Sequence, residues 1–241
     1  MNFRNKQVLI TGAARGLGRE LAGLLDKEGC SLILVDRDKV TFPNARVYVC
    51  DLGDFSQRKK FMEEMRINAK VDILINCAGI GSHSQSGQLT VDEIERIMQV
   101  NTLAPLEFYA GLSPLELVVN IGSVAGEMSL PSMSLYAASK TSVHAFTRSI
   151  HLEGGRTLLV ILGPLRGTDF IHSITHPRTG QPDWYRGLDL PVEKAASLII
   201  KAMRKGQSQL VAPNWYRVVF PIARMFYPLI RVFNKNYTGS N

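Results

Sequence analysis

"KQVLITGAARGLG" (6–18) is the stretch whose reading decides the fold. Its first half, "KQVLIT" (6–11), is a short apolar run without polar alternation, the pattern of a strand buried on both faces. "TGAARGLG" (11–18) stops that strand with three glycines and leads directly into a helical pattern. Strand, glycine turn and helix form the opening of a βαβ unit built to meet a dinucleotide. Gly12 allows a tight turn, Gly16 lets the backbone approach a pyrophosphate, and Gly18 lets helix and sheet pack closely. Arg15 and Leu17 share the turn. The first free N–H groups and the positive dipole end of the helix point at the phosphates. The spacing is not G-x-G-x-x-G, so a turn of purely structural purpose is the alternative.

Outward from this unit the alternation repeats. "SLILVD" (31–36), "RVYVCD" (46–51), "VDILIN" (71–76), "LELVVNIGS" (115–123), "TLLVIL" (157–162) and "SQLVAP" (208–213) all read as strands buried on both faces. Helix-length segments lie at 16–28, 55–68, 90–110, 135–152 and 192–205. Seven such strands with intervening helices predict an α/β fold: a doubly wound, mostly parallel sheet with helices on both faces. No internal repeat, low-complexity tract or linker divides the chain. Residues 1–213 are expected to form one dinucleotide-binding domain of Rossmann type that also carries the reactive site. Residues 168–191, with three prolines, are expected to make a substrate lid over the strand C-termini. Residues 214–241 form a basic, aromatic extension.

With 241 residues, 45% hydrophobic and 20% charged, the composition is that of a soluble domain with a sizeable core. The net charge of +7 is concentrated late: no acidic residue follows Glu193, whereas Lys201, Arg204, Lys205, Arg217, Arg224, Arg231 and Lys235 do. An anionic surface or ligand suits that asymmetry. No nucleic-acid recognition module accompanies it, and no nucleic-acid partner is expected. Cys30, Cys50 and Cys77 have no metal-ligand spacing; buried thiols and no metal are expected. The N-terminus lacks the apolar region of a signal peptide, which predicts a cytoplasmic location.

Asp36, closing the second strand, can accept hydrogen bonds from both hydroxyls of an adenosine ribose and would repel a 2′-phosphate. It favours NAD over NADP. Arg15 and Arg37 pull the other way, because either could pair with that phosphate if Asp36 turned aside. Asp51 and Leu52 end the third strand on the adenine side, and "NCAG" (76–79) places Asn76, Ala78 and Gly79 in a small-residue turn beside the cofactor.

"SVAGEMSLPSMSLYAASK" (123–140) sets Ser123, Tyr136 and Lys140 together without any histidine between them. Taken with "TGAARGLG", "NCAG", "VNIGSVAG" and "LGPLRGTDF", in that order along residues 5 to 212, the chain resembles the short-chain dehydrogenase/reductase superfamily. The resemblance implies an NAD(P)-dependent enzyme that interconverts an alcohol and a carbonyl. Its chemistry fits the residue types. Tyr136 and Lys140, four apart, share a helix face. A free phenol has a pKa of about 10, and an ammonium one turn away, aided by an oxidised nicotinamide, is expected to lower it by about two units. Tyr136 is then the general acid/base. The resemblance further implies that Ser123 binds the substrate oxygen and Lys140 the nicotinamide ribose. It also implies that Asn101 anchors a proton-relaying water and that Thr168 touches the nicotinamide carboxamide. There are departures from the family pattern. Cys77 replaces an asparagine, Leu162 a proline, and Gly167 is an extra residue before Thr168. The stretches Asn101–Ser123 and Tyr136–Gly163 are short, which weakens the case for the family's homodimer.

The tail "NWYRVVFPIARMFYPLIRVFNK" (214–235) sets Arg217, Arg224 and Arg231 seven apart on an apolar, aromatic background. It is read in three ways: as a cover for the pocket or core, as a peripheral contact with an anionic membrane, or as a protein contact. An apolar lid and tail suit a lipophilic alcohol or ketone as the small-molecule substrate. The rival functional readings are a catalytically silent dinucleotide-binding scaffold and a membrane-peripheral interaction protein.

Overall fold

The computed structural model describes residues 1–128, 132–168, 170 and 189–225. The chain begins β1 (Gln7–Thr11), α1 (Gly16–Lys27), β2 (Ser31–Asp36), β3 (Ala45–Val49), α2 (Phe55–Asn68) and β4 (Ile73–Asn76). It continues through α3 (Val91–Met98), α4 (Ala104–Leu112), β5 (Leu117–Ser123), α5 (Ser134–Leu152) and β6 (Thr157–Leu162). The last elements are β7 (Leu165–Arg166), β8 (Leu190–Pro191), α6 (Val192–Arg204), β9 (Gln209–Ala212) and α7 (Tyr216–Met225).

Seven strands form one parallel sheet in the order β3-β2-β1-β4-β5-β6-β9. The apolar runs divide by alternate residues between two cores. Val8, Ile10, Leu32, Leu34, Ile73, Ile75 and Val119 face α1 and α6, against Leu21, Leu25, Ala195 and Ile199. Leu9, Ile33, Val35, Leu74 and Val118 face the other way, against Phe61 and Met65 of α2 and Phe108 of α4. Each fully buried aliphatic or aromatic side chain contributes about 1.5–3 kcal/mol of transfer free energy. Strand order reverses between β1 and β4, so their following loops diverge and leave a crevice at the strand C-termini, where ligands bind in such sheets.

Four differences from the sequence reading have physical causes. β3 is the edge strand; Arg46 and Val49 are exposed and none of its five residues is fully buried, so this strand is not buried on both faces. The expected single helix over 90–110 is interrupted by a π-helical turn, Gln99–Leu103, with Pro105 opening α4 beyond it. The ends of the expected lid are joined by a two-stranded parallel bridge, Leu165 opposite Leu190 and Arg166 opposite Pro191. The lid itself, 171–188, lies outside the described residues. Finally, the domain does not stop at 213: Tyr216 and Phe220 of α7 pack in one cluster with Leu159, Ile161 and Val211. Residues 226–241 of the tail are outside the described residues. No helix among those described is long and apolar enough to cross a membrane.

Arg58 of α2 is fully buried, although the run "SQRKKFMEEMRI" reads as a solvated face. Its guanidinium donates to both Glu107 carboxylate oxygens (2.7 and 3.0 Å), the Leu52 carbonyl (2.6 Å) and Gln99 Oε1 (2.6 Å). It thereby ties the loop after β3 to the π turn and α4.

Candidate active site

The glycine turn after β1 is shaped by contacts that exclude a side chain. Gly12 has φ +71° and a Cβ there would lie 2.8 Å from Ala78 Cα; at Gly18 it would lie 2.1 Å from the Gly12 carbonyl oxygen. The first contact brings the turns after β1 and β4 together, and the second seats α1 against the strand end. Gly16, at φ +54°, faces Thr168. The Leu17 side chain belongs to the core, so only its backbone is available to a ligand. Thr11 Oγ1 accepts from the amides of Cys77 and Ala78, both at 3.1 Å, which fixes the NCAG turn.

Asp36 is pinned at the second strand end. Its Oδ2 accepts from the Ala14 amide (2.9 Å) and Oδ1 from the Asp38 amide (3.0 Å). Arg15 and Arg37 both lean on Asp38, at 3.5 and 4.0 Å. Asp51 accepts from the Gly53 amide (2.8 Å) and pairs with Arg96 (2.9 Å). Burial opposes its charge, but these partners outweigh burial and hold its carboxyl below the usual range. The neighbouring Leu52 side chain is buried.

Asn76 is a correction. Its amide is buried and donates to Asn120 Oδ1 at 2.8 Å, so the side chain ties β4 to β5 instead of facing a cofactor. This tie between β4 and β5 comes from Asn76, next to the Cys77 that departs from the family pattern. Burial pushes the Cys77 thiol up to about 12, which leaves it inert.

At the reactive end, α5 carries Tyr136 and Lys140 one turn apart, both buried. The Ser123 hydroxyl, which accepts from the Ala125 amide at 3.2 Å, lies near enough to the Tyr136 phenol to favour its ionised form. Lys140 Nζ lies 5.9 Å from the Tyr136 ring centre and donates to the Ile121 carbonyl at 3.0 Å. Asn101 sits in the π turn, where its Oδ1 accepts from the Ile80 amide and its Nδ2 donates to the Ile80 carbonyl, each at 2.9 Å. Gly79 leaves the space between them open: a Cβ there would stand 3.3 Å from Lys140 Nζ and 3.5 Å from Asn101 Oδ1. The four residues expected to act together are therefore brought together.

Their electrostatics differ from the expectation. Burial pushes the Tyr136 phenol up to about 12, with Ser123 opposing it. Burial also drops the Lys140 ammonium to about 8. The phenol is raised above its ordinary value, not lowered below it. Burial is the largest influence on both groups and disfavours the charged form of each.

The sequence reading missed several residues. Ser139, in the same helix, donates to the Tyr136 carbonyl (2.8 Å) and accepts from Asn101 Nδ2 (3.1 Å), linking α5 to the π turn. Its place within "YAASK" was the available signal. His144, Glu127, Asn120 and Arg58 gave no local signal, because each acts through a partner distant in sequence.

The cofactor end passes a test of fit in the chain's own atoms. Thr168 Oγ1 is buried without a hydrogen-bond partner, although the residue stands beside Gly16 at the mouth of the turn. Gly167, at φ +83°, supplies the left-handed bend just before it. An orphaned hydroxyl costs about 1–3 kcal/mol unless a ligand or water satisfies it. A small-residue turn at a helix N-terminus, a pinned ribose-side carboxylate and a spare hydroxyl across the crevice suit a dinucleotide.

The short chain dehydrogenase family model matches residues 6–176. The chain belongs to the short-chain dehydrogenase/reductase family. It is an oxidoreductase of that family. Among its relatives is an uncharacterized oxidoreductase, TDA5, of Saccharomyces cerevisiae, 31% identical over 202 residues, 73% of this chain. The dehydrogenase spans 60% of the length of that relative. A Burkholderia phymatum short chain dehydrogenase/reductase solved with NAD superimposes with a TM-score of 0.79 at 21% identity, over 95% of this chain and 96% of the other. A Sphingobium yanoikuyae short-chain dehydrogenase solved with NADPH gives 0.75 at 23% identity, over 98% and 96%. These two likenesses concern the fold.

Proposed function

We propose that the dehydrogenase interconverts a lipophilic secondary alcohol and its ketone, with Tyr136 as the proton-transferring group. One observation carries the reading. The Ser123 hydroxyl is near enough to the Tyr136 phenol to favour its ionised form, while Lys140 approaches the same ring from one turn along α5. A substrate oxygen placed between Ser123 and Tyr136 would accept two hydrogen bonds as a ketone, or give its proton to a Tyr136 phenolate as an alcohol. When bound, the nicotinamide supplies or accepts the hydride. Lys140 would hold the nicotinamide ribose and bias the phenol, and Asn101 would hold a water in the space that Gly79 leaves open. Thr168 Oγ1 would take a polar group of the cofactor.

The surroundings of the phenol support an apolar substrate. Tyr136 clusters with Ala125, Ala137, Met133 and Phe170, and its ring centre is 5.7 Å from that of Phe170. NAD is the proposed cofactor. Two backbone N–H groups hold Asp36 in place, and both nearby arginines are engaged with Asp38.

The test is Tyr136→Phe together with titration by NADH and NADPH. The variant should bind NADH as the wild type does, with tighter binding of NADH than of NADPH in both, and should lose at least about a thousandfold in turnover, within the range of general acid/base catalysis. Turnover that survives the substitution refutes the role of Tyr136. A preference for NADPH refutes the role given to Asp36.

A further inference from the structure

His144 lies one turn beyond Lys140 on α5 and is 1% exposed. Its Nε2 receives the Ser123 backbone N–H at 3.3 Å, and its Nδ1 lies 3.0 Å from Glu127 Oε1. The ring is seated against two glycines that flank Ser123. A Cβ on Gly122 would come within 2.2 Å of Nε2, and one on Gly126 within 2.6 Å of Cε1. Glu127 is itself bound by Arg148, one turn further along the helix. The glycines of "NIGSVAG" thus open a slot that the imidazole fills, beneath Ser123.

We propose that His144 is a positioning residue of the dehydrogenase. Its neutral imidazole, held as the Nδ1–H tautomer by Glu127, accepts the Ser123 N–H and sets the Ser123 hydroxyl toward Tyr136. The proposal rests on the reading of Ser123 and Tyr136 as the groups that handle the substrate oxygen.

Only one protonation state does this. An imidazolium carries hydrogens on both nitrogens and cannot accept from Ser123. The groups facing the ring are Glu127 from the loop after β5, and Lys140 and Arg148 from α5 itself. Arg217 of α7 lines a cavity together with Glu127. Burial is the largest single influence and disfavours the charged ring; Glu127 favours it, Arg148 and Lys140 oppose it, and the balance lowers the imidazole below its ordinary value, so the neutral ring predominates at pH 7. Glutamine is the discriminating substitute. Its amide oxygen can accept from Ser123 and its NH2 can donate to Glu127, as the neutral ring does, but it does not titrate.

The experiment compares the full-length wild type with His144→Gln and His144→Leu by two independent measurements. The first reads imidazole nitrogen shifts and hydrogen exchange of the Ser123 amide by NMR, and needs no turnover. The expected result is an Nδ1–H neutral ring at pH 7 and a Ser123 amide protected in wild type and His144→Gln. In His144→Leu that amide should exchange at least tenfold faster, while the other β5 amides stay unchanged. An Nε2–H ring, a charged ring at pH 7, or equal Ser123 exchange in all three proteins overturns the proposal. The second follows NAD reduction with 1-phenylethanol between pH 5 and 9. His144→Leu should lose at least tenfold in kcat with KM for NAD unchanged. His144→Gln should keep kcat within threefold and lose the acid limb that the wild type shows as His144 protonates. Equal losses in the two variants, or loss through KM for NAD, refute the positioning role. If no protein turns over while the NMR result is as expected, it is the catalytic assignment of Ser123 and Tyr136 that fails, and with it the purpose given to His144.

Discussion

Lys140→Met isolates what the buried ammonium does for the phenol. Methionine is close to the lysine stem in shape, and exchanging a buried charge for an apolar side chain is not expected to unfold α5. The magnitude follows from the geometry. Lys140 Nζ is 5.9 Å from the Tyr136 ring centre. At an effective dielectric of about 20, a unit charge at that separation is worth about 2.8 kcal/mol, or about two pKa units on the phenol. Phenolate at a fixed pH should therefore fall about a hundredfold in the variant. The assay is the pH dependence of kcat/KM for alcohol oxidation with saturating NAD. Below pH 8, where Lys140 is charged, the variant should be about a hundredfold slower. Its rate should also keep rising with pH about two units beyond the point at which the wild type levels off. Because Lys140 is also proposed to hold the nicotinamide ribose, NAD affinity must be measured alongside. If the profile moves by less than half a unit and the loss appears only as weaker NAD binding, the electrostatic account of Lys140 is wrong and it is a cofactor ligand alone.

Three further outcomes are expected. Gly18→Ala forces a Cβ to within 2.1 Å of the Gly12 carbonyl oxygen and should destabilise the fold by about 3 kcal/mol, read as a lower urea midpoint at unchanged slope. Arg58→Met leaves the Glu107 carboxylate and the Leu52 carbonyl without their buried partner, and should cost about 3–5 kcal/mol. The double variant Arg58→Met/Glu107→Leu should recover most of that loss in the same titration. Stability should fall on acidification in two windows. His144, its folded-state pKa lowered, binds protons more readily when unfolded, so its contribution is complete above about pH 6.5 and is lost as pH falls below that value. Glu127 is opposed by burial but held down to about 2 by His144 and Arg148, so its contribution disappears as pH falls from the ordinary value of 4.5 downward. Unfolding free energy measured against pH should show the upper window in wild type and not in His144→Gln.

Much of the fold was legible because parallel strands buried on both faces leave continuous apolar runs, and "VLI", "LILV" and "LLVI" are such runs. β3 misled for the same reason: "RVYV" has the composition of a buried strand, and only its place at the sheet edge leaves its residues partly or fully exposed. The π turn was invisible because "QVNTLAPL" keeps helical periodicity on either side of it. Tyr136, Lys140, Ser123 and Asn101 were legible as spacings. What spacing does not carry is desolvation. The sequence places an ammonium beside the phenol but does not say that both are dry, which is why the expected lowering of Tyr136 became a rise to about 12. His144 and Arg58 were illegible for a related reason. Each looks like an ordinary helix residue until its partners, 17 and 49 residues away, are brought in by the fold.

The helix that carries the reactive pair is held by polar contacts where an apolar face would suffice for stability. Thr147 at its lower turns accepts from Asn120, which in turn accepts from Asn76, at 2.8 Å each. One turn up, His144 takes the Ser123 amide, and one turn beyond that Ser139 accepts from Asn101 in the π turn. Apolar contacts are non-directional, and a helix resting on them alone can slide or rotate by a fraction of an ångström at little cost. A buried hydrogen bond left unmade costs about 1–3 kcal/mol, so three rungs at successive turns fix both the rotation and the axial position of α5. That is the precision needed to hold the Tyr136 oxygen against a substrate and Lys140 against the phenol, where a displacement of about 1 Å can cost a hundredfold in rate. The polar ladder explains why this helix keeps Ser139, His144 and Thr147 on its buried side, and why removing one rung should perturb catalysis more than it perturbs folding.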